Sequence, residues 1–194
     1  MTLTITRLDP EGYRRLPWKN GGGTLIDIAD AYRADAPRDW DSLLWKFGRT
    51  AIVAPGPFSH LPGITRMQMV VKGEGLILEA ADAEFDERRA FTPVRFAGEL
   101  AIVTRLETGP VDVVNLMANA AAFAIDLVAL TQPGTRGLAA GSHVIYAPAG
   151  DSFIEIDGAA FPLRDDHALR FDPTSSAQLS LISGLVVVGS IFAV

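Results

Sequence analysis

Thr65-Arg66-Met67-Gln68-Met69-Val70-Val71-Lys72-Gly73-Glu74-Gly75-Leu76-Ile77-Leu78-Glu79-Ala80 decides the fold class. Two apolar runs, each strand-sized, flank a glycine-rich turn, which is the pattern of paired strands rather than of a helix. Successive side chains of an extended chain take opposite faces. Met67, Met69 and Val71 therefore share one face, and Arg66, Gln68 and Val70 the other. If the methionine face packs outward on a neighbouring sheet, Arg66 and Gln68 point into the barrel. An inward guanidinium needs a carboxylate, from the protein or from a ligand, because a buried unpaired one is very costly. The alternatives are a structural pair with an aspartate or glutamate, or a reversed strand phase that exposes Arg66.

The same short-run pattern continues in both directions. Strands are expected over Leu3–Leu8, Thr24–Ala31, Leu43–Ala54, Ala90–Ala97, Leu100–Leu106 and Val111–Met117. A second set covers Phe123–Leu130, Val144–Ala147, Ser152–Ile156, Ala159–Leu163, His167–Phe171 and Ala177–Val194, the last broken near Gly184. Asp157-Gly158 signals a tight hairpin turn. Short helices are expected around Asp39–Leu44 and Ala118–Ala122. Leu76-Ile-Leu-Glu-Ala, Phe85 and Ala90–Phe96 are echoed by Phe153-Ile-Glu-Ile-Asp, Phe161 and His167–Phe171. Two similar halves joined near residues 118–125 would suit a duplicated jelly roll. The expected fold is thus all-β, a sandwich or barrel.

Composition narrows the partners. Seventeen Lys and Arg against 23 Asp and Glu leave a net charge of −6, without the clustered positive charge that nucleic acids or anionic membranes require. With 48% hydrophobic residues the chain can bury a real core. The absence of cysteine removes disulfides, thiolate metal sites and cysteine nucleophiles. Met1–Leu16 lacks the apolar core of a secretory signal. Leu179–Val194 is apolar but shorter than the roughly 20 residues that span a bilayer. A cytoplasmic protein is expected.

Three segments carry polar residues where chemistry could occur. In Trp18-Lys19-Asn20-Gly21-Gly22-Gly23-Thr24, glycines allow backbone amides to approach a ligand, and Lys19 and Asn20 add charge and hydrogen bonding. The same stretch also reads as a plain turn into a strand, and it lacks the Gly-Lys-Ser/Thr ending of a nucleotide loop. Gly56-Pro57-Phe58-Ser59-His60-Leu61-Pro62-Gly63 leads into Arg66. Asp112-Val113-Val114-Asn115-Leu116-Met117 sets Asn115 in an apolar strand, where it needs partners. Aligning the final glycine of the metal-cupin signature with Gly73 puts Arg66 at the glutamate position, Pro62 at the second histidine and His60 at the first. Such a site should repel a divalent cation and attract an anion. No His-x-His occurs, and Ser59-His60 with no Gly-x-Ser-x-Gly gives nucleophilic catalysis little support.

Pro17–Thr24, Gly56-Pro57-Phe58-Ser59 with Pro62-Gly63 and Arg66, and Asp112-x-x-Asn115-x-Met117 together resemble the HutD/Ves family. The resemblance implies a bicupin, two jelly-roll β-barrel halves in one chain without the usual metal ligands. Residues 1–120 would form the first half and 121–194 the second, with Met1–Leu8 pairing into the second. It also implies a bacterial protein tied to histidine utilisation that binds an intermediate such as formylglutamate or urocanate. The chain departs from the family's Trp-Arg-x-Ser-x-Ala at Trp45-Lys46-Phe47-Gly48-Arg49-Thr50-Ala51, with Lys46 for arginine and Gly48 for serine. Lysine cannot reproduce a bidentate contact to a carboxylate.

The resulting expectation is a small-molecule-binding protein rather than an enzyme, with no cofactor and no metal. Arg66 and Lys19 would hold a small acidic metabolite, with Asn20, Asn115 and the amides of Gly22 and Gly23 bonding to it. Trp18, Phe58, Ser59 and Met117 would complete the pocket. The alternative is a metal-free lyase, isomerase or hydrolase using Lys19 or His60 as general acid/base. A third reading is a metal site built from His60, His143 and His167. The apolar carboxy-terminal strands suggest a homodimer paired across a two-fold axis.

Overall fold

Short apolar runs between turn residues become strands throughout the computed structural model, which describes residues 5–17 and 23–194. They are β1 (Ile5–Leu8), β2 (Arg14–Pro17), β3 (Gly23–Tyr32), β4 (Leu43–Ile52), β5 (Ile64–Lys72) and β6 (Leu76–Ala80). Next come β7 (Ala83–Asp86), β8 (Val94–Ala97), β9 (Val103–Leu106), β10 (Val111–Asn119), β11 (Phe123–Leu130) and β12 (Gly134–Leu138). The remainder are β13 (Ser142–Tyr146), β14 (Ser152–Ile156), β15 (Ala159–Leu163), β16 (Ala168–Phe171), β17 (Ala177–Ser183) and β18 (Val186–Ala193). The all-β expectation holds. Among the described residues the one helical segment is a 3-10 turn, Pro10–Gly12.

The two short helices do not form. At 39–44 the Asp39 carboxylate accepts from the Ser42 amide at 3.0 Å and the chain enters β4 directly. At 118–122 Asn119 Oδ1 accepts from the Ala121 amide at 3.0 Å, closing a turn between β10 and β11. In both places a short polar side chain satisfies backbone groups locally and competes with helix.

The strands pair antiparallel into four sheets, ordered β2-β3-β4-β10-β5-β8, β7-β6-β9, β1-β16-β13-β18-β11 and β12-β17-β14-β15. None closes into a barrel, which corrects the barrel expectation: the sheets stay open and bury their faces by stacking instead. Ile52, Val70, Leu76, Leu78 and Val113 pack the three-stranded sheet on the six-stranded one. Met67, Met69, Val114 and Leu116 on the six-stranded sheet meet Leu127, Val144, Tyr146 and Val187 on the five-stranded one. Ile145, Leu169 and Val188 then meet Ile154, Leu179 and Leu181 of the four-stranded sheet. The result is a four-layer stack whose two middle sheets are buried on both faces. Near-continuous apolar runs such as Met67–Val71 and Val186–Val188 are its sequence signature.

One pairing pattern occurs twice. β5 pairs with β8 and β10, and β6 with β7 and β9. Likewise β13 pairs with β16 and β18, and β14 with β15 and β17. The sequence echo falls on the corresponding β6–β8 and β14–β16. Even the isolated bridge Pro57↔Val103 matches the pairing of β12 with β17. β17 and β18 have strand neighbours on both edges. Most ladder positions of these carboxy-terminal strands are taken inside the chain.

A polar clasp ties the middle sheets together. The fully buried Tyr146 donates from its hydroxyl to Asp166 Oδ1 at 2.6 Å and accepts from Arg49 Nη1 at 3.2 Å. Burial, then the bond to Asp166, raises the Tyr146 pKa above its ordinary value. Tyr146→Phe should cost about 1–2 kcal/mol, a fall in Tm of roughly 2–8 °C. An unchanged melting curve would remove the clasp from the stability of the fold.

Candidate functional site

The alternation of β5 divides its side chains as the sequence requires. Met67, Met69 and Val71 enter the core shared with the five-stranded sheet, and Arg66 and Gln68 line a cavity on the opposite face. The cavity, about 670 Å³ among the described residues, lies over the six-stranded sheet. Neighbouring strands contribute Asn115 and Met117 from β10 and Thr50 and Ile52 from β4. Asn115 sits directly across from Gln68, and Met117 from Arg66. Phe58 and Ser59 form one wall. That wall is held in place because the Phe58 amide donates to the Ile102 carbonyl at 2.9 Å and the Thr104 amide to the Gly56 carbonyl at 2.9 Å.

Arg66 is the distinctive group of the floor. It is 7% exposed, and its guanidinium carbon lies 4.6 Å from the Phe58 ring centroid and 5.1 Å from that of Phe96. Aromatic faces hold the planar cation but supply no full counter-charge. Its one hydrogen bond among the described residues runs from Nη2 to Asn115 Oδ1 at 3.2 Å, and Nε is buried without a partner. Burial pushes its pKa down and the carboxyl of Glu87 opposes that. Guanidinium keeps its proton across the biological range.

Glu87, absent from the sequence-derived set, lies behind the floor. It is fully buried, and both its carboxyl oxygens accept from Gln68 Nε2, at 3.1 and 3.2 Å. Burial pushes its pKa up to about 8, against the hydrogen bond from Gln68 and the charge of Arg66. Gly75 (φ +97) brings the chain there. A Cβ on it would come within 2.4 Å of Arg88 Cα, so only glycine lets the Glu87–Arg88 backbone pass over this turn. Nothing in the Asp86-Glu87-Arg88-Arg89 charge run marks the one buried member, since such runs are usually solvated. Gln68 was legible from its shared face with Arg66.

Of the residues expected at the site, Phe58, Ser59, Arg66, Asn115 and Met117 come together around this cavity. Gly23 opens β3 and pairs with Ile52 at the cavity's edge. Trp18, Lys19, Asn20 and Gly22 lie outside the described residues. Trp40, 44% exposed at the mouth, was not expected. Lys46 does not reach the cavity. It is buried beside Asp27, with Nζ 3.2 Å from Oδ2 and 5.0 Å from the Trp40 ring centroid. Arg49 leaves by the other face to Asp166.

The three histidines do not converge. His60 is exposed at the cavity mouth, and His167 lies 3.5 Å from Asp9. His143 is fully buried, bonded to Ser190 Oγ and the Ala139 carbonyl, each at 2.9 Å. Strand pairing makes His143 the counterpart of Arg66. Arg66 faces Phe96 and Met117, and His143 faces Phe171 and Ser190, with Phe96 and Phe171 matching in the repeat. In place of Gln68 and Asn115 the five-stranded sheet has Ile145 and Val188, which join the core shared with the four-stranded sheet.

The fold and cavity define an all-β, cupin-like protein with a buried cation at the floor of its pocket. The chain belongs to the HutD family, whose model matches residues 10–187. An uncharacterized 21.2 kDa protein in the hutC 3′ region of Pseudomonas putida is 29% identical over 110 residues, 57% of this chain and 56% of that protein. The match thus spans little more than half of that relative's length. Two solved structures share the fold at 22% identity. One is PA5104 of Pseudomonas aeruginosa PAO1, a conserved protein of unknown function, with a TM-score of 0.86 over 97% of this chain and 98% of that one. The other is HutD from Pseudomonas fluorescens SBW25, solved in a formate condition, with 0.81 over 98% and 100%. Among the described residues no helix is long and apolar enough to cross a membrane.

Proposed function

We propose that this protein binds a small carboxylate metabolite over Arg66 and acts in the cytoplasm as a binding and regulatory protein, not as a catalyst. The observation that carries the reading is a charged, nine-tenths-buried guanidinium with one hydrogen bond among the described residues, on the floor of a cavity of about 670 Å³. A buried cation so poorly paired favours an anionic guest, whose two oxygens match the guanidinium fork. Apolar walls beside a few convergent polar groups are the usual make-up of such a pocket. The family, and the hutC-region relative from Pseudomonas putida, favour an intermediate of histidine utilisation, formylglutamate or urocanate. We read the repeated pairing pattern as a bicupin in which residues 1–120 keep the pocket and residues 121–194, joined by β1, fill theirs.

Thermal shift with formylglutamate, urocanate, histidine and glutamate at about 1 mM tests this. One of the first two should raise Tm selectively. A ligand at about 100 times its Kd adds roughly 2.7 kcal/mol, some 5–11 °C for a chain of this size. Equal shifts from all four, or from none, would overturn the reading.

A further inference from the structure

An ionisable group on the floor of the cavity has a second one buried behind it. Arg66 is 7% exposed and Glu87 is fully buried. They do not meet in an ion pair. Gln68 stands between, its Nε2 on both Glu87 oxygens and its Oε1 buried without a partner. Among the described residues no other charge acts on Glu87. From β5 Glu87 meets Gln68 and the field of Arg66, and from β6 only the Leu76 carbonyl, which accepts the Glu87 amide at 3.0 Å. The adjacent Asp86 and Arg88 satisfy each other at the surface, 2.7 Å apart.

We propose that Glu87 is a positioning residue that decides whether Arg66 is available to an anion: protonated, it leaves one uncompensated positive charge on the floor, and ionised, it cancels that charge from behind. This rests on the reading of Arg66 as the carboxylate anchor and adds what controls it. With Glu87 neutral, Arg66 and the one guest carboxylate seated on it form a balanced pair. With Glu87 ionised, the guest brings a second negative charge into a low-dielectric site already neutral, and like charges there repel strongly. Binding then takes up a proton, which ends on a Glu87 carboxyl oxygen. The upward displacement of the Glu87 pKa by burial puts the crossover near pH 8. The sign follows. Below the crossover no proton need be taken up and affinity is level, whereas above it affinity falls about tenfold per pH unit for one linked proton.

Titration calorimetry of the full chain with formylglutamate and with urocanate, from pH 6.5 to 9.5 in buffers of different ionisation enthalpy, reads this directly. Wild type should hold its Kd to about pH 8, weaken about tenfold per unit beyond, and take up close to one proton per ligand at pH 9. Glu87→Gln should be level across the range and take up none. His60→Gln, which removes the titratable group at the mouth, should keep the wild-type fall. If Glu87→Gln does not fold, the proton uptake of wild type still decides. Arg66-dependent binding that is flat with pH and releases or takes up no proton overturns this inference alone. No binding at any pH overturns it together with the reading of the site.

Discussion

Arg66→Met should abolish the carboxylate response and, at the same time, raise the melting temperature of the ligand-free protein. The two effects point in opposite directions for one reason. A guanidinium with a single hydrogen bond and a buried, unpartnered Nε among the described residues contributes little to the fold it sits in. Replacing a poorly satisfied buried charge by an apolar side chain of similar length is neutral to stabilising, by about 1–3 kcal/mol, or roughly 2–12 °C here. The loss of the charge-assisted fork should cost the bound state about 3 kcal/mol or more, a hundredfold or greater weakening. Arg66→Lys keeps charge without the planar fork and should lose about 1–3 kcal/mol of binding. Were Arg66 merely structural, Arg66→Met would lower Tm. Thermal melts with and without formylglutamate separate the cases in one experiment.

Gly189→Val should destabilise the protein by about 3 kcal/mol, with Tm down roughly 6–12 °C. A Cβ at this position would lie 2.7 Å from Cδ2 and 2.9 Å from Cε2 of Phe47, across the junction of the six- and five-stranded sheets. Phe47 has nowhere to go. It is fully buried and packed edge-on to Tyr146 at 6.1 Å between centroids. If this contact is the cause, Phe47→Leu combined with Gly189→Val should recover part of the loss, and a double-mutant cycle measures how much. Additive losses would place the strain elsewhere.

Much of the layer pattern was legible because a two-residue period needs no tertiary knowledge. Met67, Met69 and Val71 opposite Arg66 and Gln68 is a statement about pleats alone. The strands that escaped detection are those whose side chains do not form a core stripe: Arg14–Pro17, Ala83–Asp86 and the glycine-bearing Gly134–Leu138. β2 and β7 are edge strands laddered to the adjacent strand of the chain, β3 and β6, and β12 is fixed by a ladder to the sequence-distant β17. The strand expected over Ala90–Ala97 is shorter in the structure. Only Val94–Ala97 joins a sheet, and Phe91 takes a left-handed φ of 60° that no apolar pattern announces. The floor of the pocket was largely readable from Arg66 and Asn115. Its back wall was not, because the burial of Glu87 is decided by the turn at Gly75 and by Gln68 across the sheet.

The middle sheets have one further consequence. Each face of the six-stranded sheet belongs to a different core, and its outer partner on one side and the second half on the other are built from separate stretches of chain. β1, from the start of the chain, completes the ladder beside β16. A fragment cut near residue 120 would therefore carry Met69, Val114 and Leu116 naked into water while leaving the remainder without its first strand. The internal repeat does not make this protein modular. Recombination cannot exchange residues 121–194 for a homologue's without also remaking the seam between the six- and five-stranded sheets, so the two sides of that seam are bound to change in step.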